Sequence, residues 1–222
     1  MKFILYLIST PKTLYFNFKY FKFKQAIKLP VFVAYNVWLK KTEGVLKIKD
    51  HELKRGMIRV GFGEVGIFDK RKSRTIWEHE KNGEIVFGGK ANIGHGSKIS
   101  VSKNSKLMLG SNFTITAESS IVCQKKIIFG KDCLLSWDIL VMDSDFHKIK
   151  DAENHHINES KEIIIGERVW ISCRSLILKG SIISNDTIIG ANSFVNKKFS
   201  EENTLIVGNP AEVRKKNVTW EK

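Results

Sequence analysis

The sequence predicts an all-β solenoid, a parallel β-helix, preceded by a basic aromatic segment, interrupted by one long loop and closed by a short tail. Large aliphatic residues recur at every sixth position at Ile165, Ile171, Ile177, Ile183, Ile189 and Val195. Six residues turn an α-helix through about 600°, which leaves the sixth side chain on a different face. Six is a multiple of the strand period, so the repeat suits strands. Short triplets of turn chemistry follow the aliphatic positions, among them Gly166-Glu167-Arg168, Ser184-Asn185-Asp186 and Gly190-Ala191-Asn192. Small residues (Val169, Ser175, Ser181, Thr187, Ser193) alternate with large ones (Trp170, Leu176, Ile182, Ile188, Phe194). A strand so patterned puts the small residue and the next aliphatic on one side and the large residue on the other. Short strand, turn and short strand, repeated without a miss, make stacked coils with an interior aliphatic column. The period returns upstream as Phe87, Ile93, Ile99, then Leu109, Ile115, Ile121, Ile127, then Phe129, Leu135, Val141. Slips between these runs predict less regular middle coils.

The chain before the repeat has another composition. The 222 residues hold 37 Lys+Arg against 23 Asp+Glu, a net charge of +14. Residues 1–60 contain 13 of the basic residues and three acids, so +10 resides there. All four Tyr, six Phe and Trp38 fall within the first 38 residues, interleaved with Lys. We therefore divide the chain into a basic, aromatic segment over 1–50, a β-helix over 51–200 with an inserted loop at 143–162, and a closing segment over 201–222. The uncharged run from Phe3 to Pro11 is nine residues, far short of the roughly 20 that span a bilayer. No small-residue cleavage site follows it, so neither a transmembrane helix nor a signal peptide is expected. Basic residues among aromatics can track a nucleic-acid backbone, but no DNA or RNA motif accompanies them, so a nucleic-acid partner is not expected. Two readings of residues 1–40 stand: contact with an anionic membrane surface, or a cap over the open strand edge of the solenoid.

Cys123, Cys133 and Cys173 lie in repeat rows with no CxxC spacing, which predicts neither a disulfide framework nor a nucleophilic thiol.

Between Val141 and Ile163 the period vanishes. The loop contains Asp143-Ser144-Asp145-Phe146-His147. On an extended backbone the two carboxylates and the imidazole would point to one side, and a carboxylate beside His is a general-base arrangement. A solvated charged loop is the plainer reading of such a stretch, and no metal site is assigned to it.

The tract from Ile163 to Lys198, the closing IVGNPAEVRKK and the preceding MDSDFH together resemble the hexapeptide-repeat acyltransferases. The N-terminal TLYFNFKYFKFKQAIKLPVFV and GMIRVGFG resemble the sugar O-acetyltransferases of polysaccharide biosynthesis. The resemblance implies a left-handed β-helix, a homotrimer with sites between neighbouring subunits, acetyl-CoA as donor and a sugar hydroxyl as acceptor. It implies His147 as the base, with Asp145 or Asp143 orienting it. Trp170 would border the site and touch donor or acceptor. Cys173 and Ala191 would offer backbone groups to the pantetheine arm, and Asn196, Lys197 and Lys215 would meet the CoA phosphates. Asn112 is a candidate for holding the acceptor or donor. The sequence departs from the family pattern at Ser172 and Asn192, each replacing a usual Gly, and at Asn196-Lys197-Lys198. The expectation is a cytoplasmic acetyl-CoA-dependent O-acetyltransferase, at the inner face of the membrane if residues 1–40 bind lipid. An N-acetyltransferase of a nucleotide-linked amino sugar and a non-catalytic β-helix scaffold remain as alternatives.

Overall fold

The computed structural model describes residues 2–50, 52–63, 65–69 and 72–221. Three parallel sheets wind as a left-handed β-helix. Each coil contributes one strand per face; the sixth coil, for example, runs through Trp170–Ile171, Leu176–Leu178 and Ile182–Ile183. The six-residue spacing is the step from one face to the next. Ile171 pairs with Leu135 below and Ile189 above, Ile177 with Val141 and Val195, and Ile183 with Ile165 and Phe199. All six aliphatics of the regular tract are buried, and so are the small residues two positions before them. The upstream runs from Phe87 to Val141 are buried as well. They slip because longer strands such as Lys106–Leu109 and Lys126–Phe129 each point two residues inwards, Leu107 with Leu109 and Ile127 with Phe129.

Corners force special backbone. Between the third and first faces Asn112, Asp132, Arg168 and Asp186 all take positive φ. Coils approach there so closely that a Cβ on Gly110 would lie 2.2 Å from the Gly130 carbonyl oxygen, so only glycine fits. Asn192, at the next corner, has φ +58°, a conformation that Asn tolerates better than other non-glycine residues.

The solenoid starts earlier than the composition suggests. Val31–Val33 pairs in parallel with Ile58–Phe62, and Trp38–Thr42 and Val45–Ile48 complete a first coil inside the segment 1–50 assigned to the appendage. No six-residue period betrays this coil because Val33 stacks on Val60 across a long connection. At the other end Thr204–Val207 stacks on Ile188–Ile189, so the coil path enters the segment 201–222. Residues 208–211 then fold back on Phe194, and Glu212–Lys216 closes the first face as an antiparallel strand.

Two helices precede the first coil, α1 (Lys2–Tyr20) and α2 (Phe23–Ala26). Ser9, Thr13 and Asn17, four residues apart, share one side of α1 and meet the open edge of the first strand. The Tyr35 N–H donates to Ser9 Oγ, the Val33 N–H to Thr13 Oγ1 and the Val31 N–H to Asn17 Oδ1. Asn17 Nδ2 also donates to the Val31 carbonyl, and Lys12 to those of Tyr35 and Val37. These bonds lay α1 over the open edge of the first strand. Among the described residues no helix is long and apolar enough to cross a membrane.

Beneath α1, Trp77 donates to Tyr20 Oη, which lies 3.1 Å from His79 Nδ1, while His79 Nε2 lies 2.9 Å from the Gly83 carbonyl. The carbonyl needs a donor, so Nε2 carries the proton and Nδ1 accepts. Burial lowers the His79 pKa, so the unfolded chain binds the extra proton first and stability is lost as pH falls through about 6.5. The melting temperature should drop between pH 7.5 and 5.5, with a shallower slope in His79→Gln.

Asn17→Ala would strand the N–H and C=O of Val31, each worth about 1–3 kcal/mol when buried and unpaired. We expect its melting temperature to fall by several degrees, and Thr10→Ala, on the exposed side of the helix, to leave it unchanged in the same thermal scan.

Candidate functional site

The long loop leaves the solenoid after Leu140–Met142 and returns at Ile163–Ile165, at the corner between the second and third faces. The rows of the core resume in register on both sides of it, so the loop beyond its buried first residues, Asp143 and Ser144, is free of the packing that fixes the coils.

Asp143 and Asp145 have different tasks. The Asp143 carboxylate is fully buried and accepts the backbone N–H groups of Gln124, Lys125 and Lys126 at 2.7 to 2.9 Å. It stitches the corner below and does not orient His147, contrary to one sequence expectation. The chain then turns: Phe146 has φ +61° and the His147 N–H donates to the Asp145 carbonyl. This turn removes the extended alternation that would have aimed all three side chains together.

Asp145 lies on the surface with Lys179 and Asn158. Its Oδ2 accepts Lys179 Nζ at 2.5 Å and Asn158 Nδ2 at 2.8 Å. The hydrogen bond from Lys179 is the largest cause that lowers the Asp145 pKa. Asn158 Nδ2 also donates to the His147 carbonyl, and Lys179 to the Asn158 carbonyl. Asp145 therefore positions His147 through its backbone, by way of Asn158, and not by a carboxylate on the ring. The sequence pointed to neither Asn158 nor Lys179, because they stand 13 and 34 positions from Asp145 with no motif linking them. His147 itself is exposed. Farther along, His155 pairs with Asp151 and His156 with Glu159, both as surface contacts. Asp151, Glu153 and His155 bring one ligand atom each within 4.8 Å, but Glu153 and His155 are exposed and the His155–Asp151 pair explains the approach.

The remaining candidates do not gather around His147 within one chain. Asn196 and Lys197 lie exposed at the same corner as the loop, two coils above. Cys173 and Ala191 sit at the corner between the first and second faces, and Asn112 at the corner between the third and first. Asn112 Nδ2 donates to Asp132 Oδ1, a bond between successive coils. Trp170 points outwards on the first face, half-buried. Its Nε1 donates to Ser136 Oγ and its ring lies 6.1 Å from that of Trp220 in the tail. Lys215 is exposed on the strand that closes that face.

The thiols are poorly suited to attack. Cys123 and Cys133 are buried, and burial pushes the Cys123 thiol up to about 12. Cys173 is half-buried, at a different corner from the His loop.

Comparison with known proteins agrees with this architecture. The chain is 27% identical over 154 residues to WbbJ of Escherichia coli K12, a putative lipopolysaccharide biosynthesis O-acetyltransferase, covering 64% of this chain and 78% of that protein. It is 33% identical over 124 residues to a polysialic acid O-acetyltransferase of Escherichia coli O1:K1, and 35% identical over 104 residues to one of Neisseria meningitidis. Those matches take in 55% and 46% of this chain and span less than half of each relative, 40% and 48%. The crystal structure of the polysialic-acid-specific acetyltransferase NeuO matches with a TM-score of 0.54 at 24% identity, over 87% of this chain and 79% of that one, a likeness of fold. No family model matches the chain. The chain is a homologue of bacterial O-acetyltransferases and an enzyme of the acyltransferase class.

The two loop carboxylates should separate experimentally. Asp143→Ala removes a buried charged acceptor of three N–H groups, so we expect a loss of at least 2 kcal/mol in denaturant unfolding. Asp145→Ala should unfold with the same midpoint yet show faster hydrogen exchange over 143–162.

Proposed function

We propose that this chain, a homologue of the hexapeptide-repeat O-acetyltransferases, transfers an acetyl group from acetyl-CoA to a sugar hydroxyl of a cell-surface polysaccharide or its precursor. The observation that carries the reading is His147, an exposed imidazole on a loop whose base is tied by Asp145, Asn158 and Lys179. A base held by its backbone, with its ring open to a ligand, is what a bound hydroxyl requires.

His147 takes the hydroxyl proton as the acceptor oxygen attacks the thioester carbonyl carbon. As the tetrahedral species collapses the C–S bond breaks, and the imidazolium returns the proton to the departing sulfur. No acyl-enzyme is needed, consistent with the buried or distant thiols.

The donor set suits CoA. Lys197, Lys198 and Lys215 are exposed, and none forms an ion pair among the described residues, whereas Lys216 is held by Glu201 at 2.7 Å. Unpaired ammonium groups make charge-assisted bonds to phosphates. Trp170, the backbone at Cys173 and Ala191, and Asn112 are the remaining contacts of this proposal.

These groups occupy different corners and faces of a triangular solenoid. A homotrimer, in which the loop corner of one copy faces the first face of the next, would bring them together between subunits. We take the enzyme to act in the cytoplasm, where acetyl-CoA is available.

Release of CoA thiol, followed with a panel of oligosaccharide and amino-sugar acceptors, tests the assignment. His147→Ala should lower kcat by about 10² to 10⁴ with little change in the KM for acetyl-CoA. Retained turnover would remove His147 from the chemistry, transfer only to amines would replace the hydroxyl acceptor, and no turnover with any acceptor would favour a scaffold. A solution mass other than three times the 25.4 kDa chain would exclude the trimer.

A further inference from the structure

The helix that caps the solenoid turns a polar stripe and the buried ring of Phe16 inwards and leaves an apolar stripe exposed. Its polar stripe faces the protein, where Ser9, Thr13 and Asn17 hold the strand edge. Its apolar stripe faces out. Ile4, Leu7, Ile8, Leu14 and Phe18 fall within about 120° of arc at 100° per residue, and Leu7 is 62% exposed and Phe18 48%. Phe23, 69% exposed at the start of α2, continues the stripe. A soluble surface seldom leaves so many large apolar side chains contiguous.

Charge identifies the occupant. Lys19, Lys22, Lys24 and Lys28 are exposed beside the stripe and form no ion pair among the described residues. The first acidic residue of the chain is Glu43. A second copy laid on this face would set lysine against lysine, so the charge opposes self-association. A groove of about 450 Å³ opens alongside, between Leu7, Leu29 and Phe32 with Arg55 at its rim, which offers an apolar chain a place beside a cation. Apolar stripe, flanking lysines and no acid are the marks of a helix lying in a membrane interface.

We propose that the outer face of α1 with the start of α2 docks the protein on an anionic lipid surface, while the inner face of the same helix caps the β-helix. The proposal is independent of the acetyl-transfer reading.

Co-sedimentation of the full chain with vesicles of phosphatidylcholine alone, or of phosphatidylcholine mixed with phosphatidylglycerol, tests it. Binding is expected to the anionic vesicles and to weaken with salt. The double variant Leu7→Glu/Phe18→Glu keeps every capping group, so its melting temperature should match the parent while vesicle binding falls at least tenfold. Replacing Lys19, Lys22, Lys24 and Lys28 by Gln should weaken binding by about fivefold per charge. Absence of binding to anionic vesicles, or binding unchanged in both variants, would overturn the proposal. A reduced oligomeric mass of the double variant without lipid would do so too, by assigning the face to a second copy.

Discussion

The structure depends on one constraint, the parallel stacking of backbone on backbone from Val31 to Val207, with register shifts only in the early coils at Leu39–Lys41 and Val60–Phe62. Each strand is two to five residues long, too short to hold alone, and its N–H and C=O groups are satisfied only by the coils above and below. Every coil must therefore present its apolar residue at the same place as its neighbour. Where coils touch at corners, the chain must take backbone that few residues allow. The close approach of Gly110 to Gly130, and of Gly130 to Gly166, and the positive φ of Asp132, Arg168 and Asp186 are consequences of that stacking. So are the two caps, because a ladder has ends and each end exposes unpaired groups.

This constraint also sets what the sequence reveals. The regular coils were legible because each face costs six residues, so the buried Ile171, Ile177 and Ile183 write their spacing into the chain. The loop was legible as an interruption of that spacing, with its ends at Met142 and Ile163. The first coil was not, since Val33 and Val60 stack across a connection of irregular length. A cap over this edge was one of two readings of residues 1–40, but the residues that make it were not legible: Ser9, Thr13 and Asn17 are polar residues whose partners are backbone groups of Val31, Val33 and Tyr35. Side-chain pattern does not reveal a bond made to another segment's backbone.

The candidate site was half legible. The cluster of Asp143, Asp145 and His147 marked the loop that leaves the solenoid, but alternation assumed an extended chain, and the turn at Phe146 assigns the three side chains to three surroundings. Asp143 faces the core, Asp145 faces Lys179, and His147 is left open. Lys179 follows the coil one turn above the loop's departure, so the corner itself supplies the anchor. A triangular solenoid keeps its three corners apart, and residues at different corners of one chain cannot close around one ligand. In the function proposed above, that separation is the physical reason for the loop to work against a neighbouring copy.

The same geometry explains why the basic charge concentrates where it does. A helix that covers a strand edge must offer hydrogen-bonding side chains to it, because the edge presents amide and carbonyl groups. With Ser9, Thr13 and Asn17 turned inwards beside Phe16, the inner side of the helix is filled, and Ile4, Leu7 and Phe18 face out. Such a surface stays soluble only if charge surrounds it or another phase covers it. The lysines of α1 and α2 answer the first need, and their single sign answers the second, since they attract an anionic interface and repel a second copy of themselves. Charge that in the composition reads as one basic surface divides in the fold: Lys19, Lys22, Lys24 and Lys28 border an apolar face at one end of the solenoid, Lys40, Lys41 and Lys47 pair with Glu78, Glu80 and Glu84, and other lysines lie near the opposite end.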